Sequence, residues 1–272
     1  MIRTLLAALV CIASTALAAD LTLVNEVMNG GKKREVTLSV KGTNAVFELK
    51  EADGPPRTML RDTAAKKLFI IDHQRKLVMV ITEEDSKATE ERAAQFRAQL
   101  QAQLSKMTPE QRARVEQSML GQQPDAKPPV YGYEKKKTPA RKIGNYSCQD
   151  YTITRDGKAG GEGCFAAWKD IGITADDFKK VMTEVVPKAG PGGGPMQHGL
   201  EEAVNAPGFP VWRQHVDNAG VVTTETTLKS FSKTALPAEK FEVPKDYVQK
   251  TMQESMGKQP PGPVAPAPAP TK

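Results

Sequence analysis

The chain has 272 residues, with 38 Lys and Arg against 32 Asp and Glu, three histidines and three cysteines. That length allows one large domain or two small ones, and an interrupted single domain suits it best because sheet-like segments recur on both sides of a helical middle. The formal charge of +6 is spread along the chain, densest at Lys135–Lys137; nucleic-acid binders gather cations on one face and interleave aromatics, so the composition speaks for a solvated surface and against a nucleic-acid partner.

The N-terminus places Arg3 before an apolar run from Leu5, which ends in Ala16-Leu17-Ala18. A charged start, a short apolar core and small residues two apart make an export signal, with cleavage expected after Ala18. The run is too short for a membrane span, which needs about 20 apolar residues. An acylated Cys11 is the alternative, disfavoured by Val10, which stands where a small residue is expected. Removing residues 1–18 takes away one Arg and no acid, so the charge falls from +6 to +5. The expected product is periplasmic or secreted, with residues 19–257 as one domain and no transmembrane segment.

Leu21–Met28 opens this domain. After Gly30-Gly31, Val36, Leu38 and Val40 alternate with polar neighbours, and after Gly42-Thr43-Asn44 so do Ala45, Phe47 and Leu49. Period-two alternation buries one face of a strand. Asp53-Gly54-Pro55-Pro56 turns the chain into a segment around Met59, followed by strands at Leu68–Ile71 and Leu77–Thr82. Between them Asp72 can close a turn onto amides further along; His73 in that turn has no His or Cys nearby and is expected to be solvated.

From Glu83 the period lengthens. Phe96, Leu100, Leu104 and Met107 form one narrow apolar stripe along a helix. Thr108-Pro109-Glu110-Gln111 then starts a second helix with a capping box and Pro in the first turn; Val115 and Met119 are its apolar face and Gly121 its stop. Stripes this thin need another surface to lie on, most simply the sheet. Residues 84–121 therefore read as a helical insertion and 122–141 as an irregular Pro- and Lys-rich connection. Ile143–Lys169 restarts the sheet as a hairpin with arms Tyr146–Thr154 and Glu162–Lys169 and Asp156-Gly157 at its turn. Thr174 and Asp177 begin a helix whose stripe is Phe178, Val181, Met182 and Val185. Lys188–Pro195 is too rich in Gly and Pro to pack, and a short helix is expected around Leu200–Val204. Strands at Phe209–Val216 and Val221–Phe231 follow, then Phe241–Pro244, a short amphipathic helix near Tyr247–Met252, and a Pro/Ala-rich tail at 258–272 with nothing to bury.

Cysteine chemistry is the most specific signal. Cys148 and Cys164 are the two cysteines left after export, residues 149–163 lie between them, and the compartment is oxidising. A structural disulfide across the hairpin is expected; closing a loop of that size contributes roughly 3 kcal/mol in the chain-entropy picture. Redox pairs use closer spacing at a helix start. No G-x-S-x-G nucleophile turn is present, and the glycine runs Gly160–Gly163 and Gly192–Gly194 lack the strand-to-helix setting and lysine of a phosphate loop, so both read as loops. His198, Glu201, Glu202 and His215 hold ligand chemistry, but metals need three or four convergent ligands and this spacing enforces none. No catalytic residue, metal or cofactor is expected.

Four short motifs in order resemble the exported bacterial proteins of domain of unknown function 4412: Asp72 to Lys76, Pro109 to Arg112, Gly144 to Tyr151, and Trp168. The resemblance spans Leu21 to Pro244, and Cys164 departs from it. It is similar in turn to the lipoprotein-carrier superfamily of LolA and LolB, which implies a curled antiparallel sheet or open half-barrel of the α+β class, with helices at its mouth and acyl chains inside. On that resemblance the chain is a non-enzymatic carrier of a lipid, acyl chain or lipidated peptide, with Phe96, Leu100, Leu104, Met107, Val115 and Met119 as candidate cavity lining. Flexible methionines such as Met107, Met119 and Met182 suit irregular ligands, although core filling explains each of them singly. The second reading is an envelope-stress or chaperone-like module, because Met107–Glu116 resembles the L-T-x-x-Q helices of periplasmic chaperones of the Spy type; its partner would be another envelope protein.

Overall fold

A computed structural model describes residues 20–51, 54–108, 129–185, 202, 205–217 and 219–256. The export signal, the second helix of the insertion with Val115 and Met119, Lys188–Pro195 and the tail lie outside the described residues.

Six strands follow one another: β1 (Leu21–Asn29), β2 (Lys32–Lys41), β3 (Asn44–Glu51), β4 (Arg57–Asp62), β5 (Lys67–Asp72) and β6 (Leu77–Ile81). They form an antiparallel meander because each link is short and turn-prone. Gly30 and Gly31 both have positive φ, at 53° and 76°, the backbone that a two-residue hairpin matched to strand twist requires. Helix α1 (Glu83–Leu104) leaves directly from β6. Thr82 caps it: its hydroxyl accepts from Asp85 N, and the Asp85 carboxylate accepts from Thr82 N in return, satisfying two otherwise orphaned amides.

The chain resumes in β7 (Tyr131–Lys135), β8 (Arg141–Ile143), β9 (Tyr146–Arg155) and β10 (Lys158–Ala166). The expected irregular connection, 122–141, thus contains strand β7 and the first residue of β8. Tyr131 and Tyr133 pair with Arg155 and Ile153, and Arg141–Ile143 pairs with Cys148–Tyr146. β7 and β8 therefore run in succession beside β9, interrupted near Pro139, which lacks a ladder donor. Asp156 and Gly157 close β9 to β10 with φ of 52° and 75°, as the sequence indicates. Gly160–Gly163, expected as a loop, lies inside β10. Register slips between Ala159 and Gly161, and a Cβ on Gly161, at φ 131°, would collide with the Gln214 carbonyl. These glycines serve a bulge and close strand approach.

The second arm of the hairpin ends at Ala166, so Trp168 starts a one-turn helix, α2 (Trp168–Ile171), followed by α3 (Ala175–Val185). Thr174 caps α3 through Asp177 N at 3.0 Å. Strands β11 (Phe209–Val216) and β12 (Val222–Ser232) then complete the sheet, with a 3-10 turn η1 (Ala238–Phe241), β13 (Val248–Thr251) and α4 (Met252–Met256) at the end. The amphipathic helix expected near Tyr247–Met252 is a strand first, and the helix begins only at Met252.

Among the described residues the thirteen strands form one sheet, β13-β6-β5-β4-β3-β2-β1-β12-β11-β10-β9-β7, with β8 also on β9. All pairs are antiparallel except β13 on β6, and the sheet does not close. The fold is the expected α+β, mainly antiparallel, open one. One face carries the main core: Leu23, Leu38, Phe47, Cys164 and Val211 pack under Ile171, Ile173, Phe178 and Val181 of the α2–α3 region. Phe209 sits in its middle, 1% exposed, against Trp168, Phe178 and Phe231. The opposite face of β3–β6 holds a second core, Val46, Leu60, Ile71 and Val78, beneath Phe241, Val243 and Tyr247 of the C-terminal segment.

That segment is latched by the Asp72–Lys76 turn. Asp72 accepts from Arg75 N at 3.0 Å, Lys76 takes a left-handed φ of 48°, its carbonyl accepts from Val248 N, and its amine meets Asp246 at 2.9 Å. His73 is not a solvated turn residue. Its two ring nitrogens lie 2.9 Å from the Thr58 hydroxyl and 3.0 Å from the Tyr247 hydroxyl. The partners come from a strand fifteen residues earlier and a segment far downstream, which no local motif reveals.

Candidate functional site

Strand register assembles one feature that no single segment displays. Phe231, Leu23, Leu38, Phe47, Met59, Ile70 and Met79 are successive cross-strand partners from β12 to β6. A parallel row runs Leu21, Val40, Ala45, Arg61, Leu68 and Ile81. Both rows lie on the α2–α3 face. From β1 to β3 they are buried; from β4 onward Met59, Leu68, Ile70, Met79 and Ile81 are only half-buried. The result is an apolar floor on β4–β6.

The strands themselves account for it. Leu68-Phe69-Ile70-Ile71 and Leu77–Ile81 are apolar at every position, the pattern of strands that need cover on both faces. The C-terminal segment supplies cover on one side. Arg61 stands in the floor, and its Nε is buried with no hydrogen-bond partner, an expensive state for a guanidinium donor. The floor thus combines apolar area with one unsatisfied cationic donor, the chemistry of a site for an apolar chain with a polar or anionic end.

Of the residues expected to line a cavity, Val115 and Met119 lie outside the described residues. Phe96 is 61% exposed, and Leu100, Leu104 and Met107 are half-buried. Met59, Ile70 and Met79 went unpredicted because their alignment depends on register; the available signal was the absence of polar alternation in β5 and β6.

Cys148 and Cys164 are joined, with Cα atoms 5.3 Å apart, and both are buried in the main core. The Gly144–Tyr151 motif is structural. Gly144 has φ 56° in the β8–β9 turn, the Tyr146 hydroxyl accepts from Phe231 N at 2.9 Å, and Tyr151 stands edge-on to Phe165. Trp168 packs on Phe178 and Phe209.

A second polar site lies on β7, β9, β10 and β11. Glu202 is 1% exposed, and neither carboxylate oxygen has a hydrogen-bond partner. Arg213 Nη2 is 3.2 Å and His215 Nε2 3.7 Å from Glu202 Oε2. The Arg213 contact is an ion pair without hydrogen-bond alignment, because Nε and Nη2 lie 2.9 Å and 2.5 Å from His215 Nε2. The Tyr133 hydroxyl donates to the Glu202 carbonyl at 2.7 Å. Burial raises the Glu202 carboxyl above the usual range, opposed by Arg213 and Arg155. Burial, assisted by the same two arginines, lowers His215 to about 4. Desolvation is also the main reason that the Tyr133 phenol is pushed up. Glu202 and His215, two of the four residues with ligand chemistry, do converge; His198 and Glu201 lie outside the described residues. Among the described residues no three His, Cys, Asp or Glu side chains gather as a metal site would need.

Residues 115–247 match the family model for the Domain of unknown function (DUF4412). The match takes in the Gly144–Tyr151 and Trp168 motifs and begins after Asp72–Lys76 and Pro109–Arg112. None of the curated proteins matches the chain. Among solved structures the chain is similar to an uncharacterized conserved protein from Thermus thermophilus, with TM-score 0.44 and 9% identity over 86% of this chain and 91% of that one. It is also similar to a chain of the Pseudomonas aeruginosa MucA/MucB complex, with TM-score 0.36 and 8% identity over 83% of this chain and 56% of that one, and to MucB alone, with TM-score 0.36 and 7% identity over 84% and 58%. The chain spans little more than half the length of these last two.

Proposed function

We propose that this chain is an exported, non-enzymatic binding or carrier protein that holds a lipid, acyl chain or lipidated peptide on the β4–β6 floor. The observation that carries the reading is the half-buried apolar surface of Met59, Leu68, Ile70, Met79 and Ile81 around Arg61, on strands whose composition calls for cover on both faces. Burying a flexible chain there gains roughly 25 cal/mol per Å² of apolar surface removed from water, and methionines adapt to irregular ligands. The lipoprotein-carrier resemblance of the sequence points the same way. Export is supported by the sequence of residues 1–18 and by the disulfide, which fits an oxidising compartment.

The test is titration with a fluorescent acyl probe. Wild-type protein binds, and Ile70→Glu loses at least about tenfold in affinity, roughly 1.4 kcal/mol, while remaining folded with a midpoint lowered only by the share of Ile70 that is buried. Equal binding by both proteins, or none by either, contradicts the reading.

A second reading has its own observation. Helix α1 exposes Phe96, a large apolar side chain, which favours a protein-interaction module acting through residues 84–121. Deleting that segment separates the two: a carrier then binds acyl probe with altered affinity, whereas an interaction module loses protection of its client with the sheet intact.

A further inference from the structure

The Glu202 cluster is not used by the floor, and its geometry has an uncommon imbalance. A buried carboxylate beside an arginine ordinarily takes two parallel N–H bonds from the guanidinium fork. Here Arg213 directs Nε and Nη2 at the neutral acceptor His215 Nε2, while both Glu202 oxygens accept nothing. The backbone explains why Glu202 cannot improve: its carbonyl is pinned by the Tyr133 hydroxyl at 2.7 Å, and Tyr133 is itself fixed edge-on to Phe165. The tether therefore brings the carboxylate near Arg213 but off line. Arg155 acts electrostatically on both Glu202 and His215.

We propose that Arg213 and His215, beside Tyr133, form a carboxylate-binding pocket that Glu202 fills from within the chain, and that a carboxylate supplied in trans displaces it. A free carboxylate has no backbone pin, so it can align a hydrogen bond on Arg213 Nη2, which Glu202 Oε2 approaches to 3.2 Å without forming one. Displacement moves Glu202 out of a site where it is desolvated without hydrogen bonds. The competent fraction of the wild-type protein is small, and apparent affinity falls by that fraction; removing the internal competitor exposes the full affinity.

The experiment compares acetate with chloride at equal ionic strength, using thermal unfolding of the full exported chain and of Glu202→Ala. Acetate is expected to stabilise Glu202→Ala specifically, with an apparent affinity at least about tenfold tighter than for wild type, and Arg213→Gln in the same background abolishes the effect. Glu202→Gln, which keeps side-chain volume, gives a second reading through the His215 imidazole resonance. That resonance shifts with a short peptide bearing a free C-terminal carboxylate and not with its amide. Octanoate in place of the peptide distinguishes an acyl carboxylate from a peptide one, and Ile70→Glu leaves every response unchanged if the pocket is separate from the floor. Acetate no better than chloride on Glu202→Ala, an effect that survives Arg213→Gln, or equal responses to peptide acid and amide overturns the proposal.

Discussion

Opening the Cys148–Cys164 bond is the perturbation whose magnitude follows most directly from the structure. The two residues are 16 apart in sequence, so their link removes from the unfolded chain the freedom of a loop worth roughly 3 kcal/mol. Both sulfurs are buried in the main core, where Cys164 pairs with Asp150 on β9 and with Trp212 on β11. The hairpin is already closed by its Asp156-Gly157 turn, so reduction leaves native geometry largely in place and acts through the unfolded state. For a domain of this size each kcal/mol moves the unfolding midpoint by about 2–4 °C, which gives a loss of about 6–12 °C. Denaturation of oxidised and reduced protein, with Cys148→Ala/Cys164→Ala insensitive to reductant as control, measures it. Midpoints within a degree of each other in oxidised and reduced forms would refute the reasoning, as would free thiols in the exported protein.

Other perturbations are as specific. Phe209→Ala empties the centre of the main core and is expected to lose about 3–5 kcal/mol in urea unfolding. His73→Ala breaks the bridge between Thr58 and Tyr247; amide exchange at Val248, whose N–H is held by Lys76, should accelerate at least about fivefold, equivalent to roughly 1 kcal/mol of local opening, while exchange in β9 and β10 is unchanged. His215 has a folded pKa of about 4 against 6.5 unfolded, so between those values the unfolded chain binds the extra proton and stability falls as pH falls, by at most about 3 kcal/mol. Glu202, raised by burial, acts in the opposite sense, its contribution being lost as pH rises through its folded pKa. His215→Asn should therefore reduce the fall in stability toward acid expected of wild type across pH 6.5 to 4, read by chemical denaturation at each pH.

Local patterning made much of the sheet legible. Alternation marks β2 and β3, Asp156-Gly157 marks the β9–β10 turn, and Thr174 with Asp177 marks the start of α3, because each depends on residues a few positions apart. The two cysteines were readable for a similar reason: one hairpin brings them together. The rest depends on partners distant in sequence. Tyr-Gly-Tyr within a lysine- and proline-rich stretch becomes β7 only because Ile153 and Arg155 offer an edge. Gly160–Gly163 looks like a loop until Gln214 is seen to approach it. Val248–Thr251 has a helical neighbour in sequence but a strand neighbour, β6, in space. The same limit applies to the floor. Met59 has no periodic signature of its own, and its place in a row from Phe231 to Met79 emerges only when seven strands are in register.

Native mass spectrometry of the protein purified from its own host, followed by lipid extraction, tests the central claim most directly. The account predicts a bound species carrying an acyl chain on wild-type protein, released on unfolding and absent from Ile70→Glu prepared in parallel. A wild-type protein that is consistently at its apo mass under conditions that retain its fold, or an adduct equally present on Ile70→Glu, would contradict it.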